Sequence, residues 1–72
     1  MKKKFKLTDL GCANCAARME AAIKKLDGVN DATVSFLTQK LTLDADDARF
    51  DAILDEVVRV CKKVEPDCVI QR

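Results

Sequence analysis

Over residues 3–8 the chain alternates charged or polar positions with Phe5 and Leu7, the period of a strand buried on one face. Leu10, Gly11 and Cys12 break that period and predict a loop. From Asn14 or Cys15 the spacing lengthens: Ala16, Met19, Ala22, Ile23 and Leu26 fall on one helical face, and Gly28 is the predicted stop. Alternation returns over 32–37, with Ala32, Val34 and Phe36 on one side. Thr38 and Gln39 predict a turn, and Leu41 with Leu43 a third strand. Asp44, Asp46 and Asp47 mark a helix start, since acids near a helix N-terminus cap it and match its dipole. Phe50, Ile53, Leu54, Val57 and Cys61 then recur at three- and four-residue spacings. Arg59, Lys62 and Lys63 give the helix end the charge it favours, Pro66 cannot continue it, and Cys68, Val69 and Ile70 suit a short last strand.

The order strand, helix, strand, strand, helix, strand divides into two halves of about 35 residues and predicts the split ferredoxin-like arrangement. This is an α+β sandwich, βαββαβ, with a four-stranded antiparallel sheet and two helices on one face. No linker or repeat interrupts it, so residues 1–72 read as one domain. The predicted core is Phe5, Leu7, Met19, Ile23, Leu26, Val34, Phe36, Leu41, Leu43, Phe50, Ile53 and Val57.

Composition narrows the function. A chain of 72 residues buries only ~60% of its unfolded surface, which suits binding or carrying better than a deep catalytic cleft. Hydrophobic residues at 49% and charged residues at 35% fit a folded domain. Thirteen Lys and Arg against twelve Asp and Glu give a net charge of +1, which argues against a nucleic-acid partner. The run Lys2, Lys3 and Lys4 reads as the solvated start of a strand. No apolar run approaches the ~20 residues of a membrane span, and no signal-peptide core follows Met1. The expectation is therefore a cytoplasmic monomer with reduced cysteines, available for metal or redox chemistry rather than disulfides.

The chemistry-bearing motif is Cys12-Ala13-Asn14-Cys15, at the passage from first strand to first helix. A thiol in a first helical turn meets the positive end of the helix and unpaired N–H groups, which favour the thiolate, the metal-binding form. Two intervening residues let both sulfurs converge on one ion. Soft thiolates select Cu(I), Zn(II) and heavier relatives; two suffice for linear Cu(I), whereas Zn(II) and Cd(II) usually take four ligands. The sequence has no His to complete such a site. Cys61, inward-facing in the last turn of the second helix, is the expected third sulfur ligand, its alternative role being a small core residue. Asp9, Glu65, Asp67 or water are the other donors, while Cys68 reads as structural and Met19 as packing. A thiol–disulfide pair at Cys12 and Cys15 is the rival chemistry, but the sole proline, Pro66, lies near the C-terminus and not opposite the pair.

The stretch Leu10-Gly11-Cys12-Ala13-Asn14-Cys15-Ala16-Ala17, followed by Met19-Glu20 and later by Leu26-Asp27-Gly28-Val29, resembles the heavy-metal-associated domains. The resemblance covers essentially the whole chain. It implies one metal ion per domain, Zn(II), Cd(II) or Pb(II) in preference to Cu(I), delivered by docking and ligand exchange. Family members are free copper chaperones or N-terminal modules of metal-transporting P-type ATPases, so the implied partner is such an ATPase, in the same chain or separate, and this chain itself is no enzyme. Leu10 stands where the family often has Met, Gly11 where it often has a small polar residue or Asp, and Asp9 where Gly is common. The segment Cys61-Lys62-Lys63-Val64-Glu65-Pro66-Asp67-Cys68 is most similar to the modules of zinc, cadmium and lead exporters.

Overall fold

The computed structural model describes residues 1–72, and its elements follow the expected order. They are β1 (Lys2–Thr8), α1 (Ala13–Lys24), β2 (Val29–Ser35), β3 (Lys40–Ala45), α2 (Phe50–Val64) and β4 (Val69–Gln71). The strands form one sheet in the order β2-β3-β1-β4, every pairing antiparallel. Phe5, Leu7, Ala32, Leu41, Leu43, Ala45 and Ile70 are its buried residues, and they meet Ala16, Met19 and Ile23 of α1 and Phe50, Ile53, Leu54, Val57 and Cys61 of α2. This is the ferredoxin-like sandwich. Every buried residue is apolar, so the core demands no internal polar partners, and full burial of each large side chain contributes about 1.5–3 kcal/mol.

Three departures from the predicted pattern have local causes. Helix α1 starts one residue earlier, at Ala13, and ends at Lys24, where Lys25 N–H turns back to Ala22 C=O at 3.3 Å. Gly28 therefore does not cap the helix; with φ +88° it makes the turn into β2. Leu26, Val34 and Phe36 are half-buried, not fully in the core, because Leu26 follows α1 and β2 is an edge strand that stops at Ser35. Of the three acids, Asp46 performs the capping, accepting from Ala48 N–H at 3.3 Å ahead of a short 3-10 turn over Asp47–Arg49, whereas Asp44 belongs to β3.

The free edge of β2 has its outward amides occupied. Ala32 N–H donates to the Asp31 carboxylate, and Val34 N–H to Glu20 of α1, each at 2.9 Å. Register places the end of β1 beside the start of β3 (Lys6 opposite Lys40) and beside β4 (Thr8 opposite Val69). The loop after β1, the β2–β3 turn and the approach to β4 thus share one end of the domain. No helix is long and apolar enough to cross a membrane.

Candidate metal centre

Strand β1 ends at Thr8 and is followed by Asp9, whose φ of 59° is the left-handed region that a non-glycine residue seldom occupies. That kink drops Leu10 beneath the loop, where it is 3% exposed and plugs the core under the cysteines. Gly11 has open space around it; an added Cβ would meet nothing within 4 Å. Cys12 then takes the N-cap position with extended backbone, and its carbonyl accepts the first helical bond from Ala16 N–H at 3.1 Å. Cys15 lies in the first turn. Both cysteines are free and half-exposed, and no acidic residue sits in that turn to oppose a thiolate.

The two thiols have opposite leanings. The Cys12 thiol is held below its ordinary value, first by hydrogen bonding from the Cys15 backbone N–H, then by the Cys15 thiol and the Asn14 N–H. Cys15 is pushed up to about 11, chiefly by its hydrogen bond with Cys12 and next by one with Glu65. Both shifts arise because the two thiols and Glu65 lie beside one another at the start of α1. Thiols take up soft cations as thiolates, so uptake of an ion by such a pair would release their protons.

Cys61 does not join them. It faces the core at 1% exposure, and burial, with Cys68 close by, raises its thiol to about 12. Cys68 is likewise buried and raised, first by desolvation and then by Glu65 and Asp9. No group of three or more Cys, Asp or Glu side chains converges on a common point, so neither Cys61 nor Asp9 is gathered with Cys12 and Cys15. The inward face expected for Cys61 is present, but it points into the packing between α2 and the sheet.

Two residues of the site carried no strong sequence signal. Glu65 follows α2, its N–H closing the last turn on Cys61 C=O at 2.8 Å, and was one of several carboxylates in reach by sequence. Gln39, read only as a turn residue, hydrogen-bonds the loop itself: Leu10 N–H donates to its Oε1 at 3.1 Å and its Nε2 donates to Leu10 C=O at 2.9 Å.

Known proteins give this arrangement a context. The sequence model of the heavy-metal-associated domain matches residues 4–64. The whole chain is 28% identical over 72 residues to a cadmium, zinc and cobalt-transporting ATPase of Bacillus subtilis, covering 10% of that protein. Over 42 residues, 58% of the chain, it is 45% identical to a zinc/cadmium/lead-transporting P-type ATPase of Escherichia coli, of which this stretch is 6%. The chain thus spans a tenth or less of these relatives. Among solved structures, the N-terminal domain of a potential copper-translocating P-type ATPase from Bacillus subtilis, in its Cu(I)-loaded state, superposes with a TM-score of 0.78. That pair is 24% identical, covers 97% of this chain and 82% of the other, and shares the fold.

Proposed function

The chain belongs to the heavy-metal-associated domain family, and from that premise we propose that it takes up one soft metal ion between Cys12 and Cys15 as cargo to be passed on. The observation that carries this reading is the juxtaposition of two free, half-exposed thiols on the first turn of α1, one of them leaning to the thiolate. The ion would displace the protons of these thiols, and Cys12 and Cys15 would both bind it as thiolates.

The cargo proposed is a divalent ion, Zn(II), Cd(II) or Pb(II), carried as the cytoplasmic metal-binding module of a P-type ATPase exporter. The names of the zinc- and cadmium-transporting relatives support it, as does the Glu65 carboxylate beside Cys15, which adds negative charge and an oxygen donor suited to a divalent ion. A second reading, Cu(I), is favoured by one observation: no third sulfur stands with Cys12 and Cys15, and two thiolates suffice for Cu(I).

The test is titration of the reduced chain with Cd(II), followed by sulfur-to-cadmium absorbance, and with Cu(I) under a competing chelator. One ion per chain is expected, with tight binding lost in Cys12→Ser and in Cys15→Ser while the fold persists. Undiminished binding by the double variant would refute the site. Glu65→Gln separates the metals: it should weaken Cd(II) and leave Cu(I) unchanged.

A further inference from the structure

We propose that Gln39 is the positioning residue of the metal loop: its side-chain amide fastens the Leu10 peptide group and so sets where Cys12 and Cys15 stand before any ion arrives. The proposal rests on the metal-binding reading of those cysteines.

The Gln39 amide makes three hydrogen bonds. Its Oε1 accepts from Leu10 N–H at 3.1 Å, and its Nε2 donates to Leu10 C=O at 2.9 Å and to Phe36 C=O at 2.8 Å. Both polar groups of Leu10 are thereby engaged by one side chain, as a strand residue engages its partner in an antiparallel ladder. The orientation of the amide is fixed, because turning it over would set Oε1 against two carbonyl oxygens. The backbone of the same residue continues the pattern: Leu7 N–H donates to Gln39 C=O at 2.7 Å. Regular pairing of β1 with β3 ends at Lys6 opposite Lys40, and beyond that point Gln39 holds the departing chain on both sides of the Asp9 kink.

Gln39 occupies a left-handed conformation, φ 54°, to do this. Asn or Gly would sit there with less strain. What glutamine alone supplies is reach, one methylene more than asparagine, with a donor and an acceptor at the tip. Leu10 lies two residues before Cys12, with only the unhindered Gly11 between them. Releasing Leu10 would free Gly11 and the N-cap together, and an ion would then have to order the loop as it bound.

The experiment uses the intact chain and Cd(II) as probe, with Gln39→Asn as the principal variant, Gln39→Glu as the second and Ser35→Ala as control. Ser35 Oγ accepts from Thr38 N–H at 3.3 Å in the same turn and makes no bond to the loop. Gln39→Asn eases the backbone while withdrawing the amide's hydrogen bonds, the one offsetting part of the other, so thermal stability should fall only slightly. Cd(II) affinity should nonetheless fall about tenfold, roughly 1.4 kcal/mol, and Leu10 amide exchange in the metal-free chain should quicken. Gln39→Glu, which sets an anion against the carbonyls of Leu10 and Phe36, should do the same or worse, and Ser35→Ala should keep wild-type affinity. Wild-type affinity in Gln39→Asn despite faster Leu10 exchange would overturn the proposal. So would a binding loss that merely tracks melting temperature across the three variants. A wild-type chain that failed to bind Cd(II) or Cu(I) would overturn the underlying metal reading instead, a result visible before any variant is made.

Discussion

Replacing Gly28 with alanine tests the turn that sets β2 against α2, and its cost can be worked from two contributions. At φ +88° an alanine would occupy a region that non-glycine residues adopt at a cost of about 1–3 kcal/mol. Its Cβ would also lie 2.7 Å from Ile53 Cδ1 and 3.5 Å from both Ile53 Cγ1 and Arg49 Nη1. Ile53 is 2% exposed and boxed by core, so moving its end methyl amounts to overpacking, about 1–3 kcal/mol. The lower entropy of the unfolded alanine chain returns about 0.4–1 kcal/mol. The net loss should be roughly 1–5.6 kcal/mol in a domain whose whole stability is about 4–11 kcal/mol. Urea unfolding followed by circular dichroism should show a lower midpoint at unchanged slope. Trimming the offending methyl by Ile53→Val in the same chain should recover about 1 kcal/mol as a coupling in the double-mutant cycle. Cd(II) affinity should not move, because Gly28 is beyond the far end of the twelve-residue α1, about 18 Å from the loop. A loss below about 1 kcal/mol, or no coupling with Ile53, would refute the packing argument.

Phe36→Ala should cost about 1–2 kcal/mol in urea unfolding, well under the ~3–5 expected of a fully buried Phe, because Phe36 is only half-buried beyond the end of β2. Cys61→Ala should leave Cd(II) stoichiometry and sulfur-to-cadmium absorbance intact; a drop of about one third would restore it as a third thiolate of equal weight. Stability should fall as pH rises from 9.0 towards about 12, since the unfolded chain ionises Cys61 before the folded one does. Thermal melts across that range check it, and the fall should be smaller in Cys61→Ala, where the raised Cys15 and Cys68 thiols still contribute.

Periodicity reports which face of an element is buried, and it served well where neighbours in sequence decide the outcome. The stripe from Phe50 to Cys61 and the alternation of Phe5 with Leu7 and of Leu41 with Leu43 all appear as read. The Cys12–Cys15 spacing at a strand-to-helix passage was legible for the same reason: it is local chemistry. Periodicity does not say how far an element runs or which strand lies at an edge. Hence the pattern alone predicts Gly28 as a helix stop and Phe36 as core, where the structure has a turn and a half-buried residue. Cys61 shows the same gap at the site, since an inward face can point at several neighbours and only the packed sheet selects one. Gln39 left no trace because its partner Leu10 is 29 residues away, a contact that exists only after β1 and β3 have paired.

The carboxylates on the free edge of β2 have a consequence for how many copies can coexist. An edge strand with bare amides is a template on which a second chain can add its own strand, the opening step of aggregation. Asp31 and Glu20 fill the Ala32 and Val34 donors, so an approaching strand finds two positions already taken by anions. β4, at the other edge, is only three residues long and offers little to pair with. A domain whose paired thiols face solvent gains from this closure, because contact between copies is steered away from the sheet. The same two carboxylates make the edge a point of weakness: Glu20→Ala would bare the Val34 amide and invite the sheet to grow across molecules.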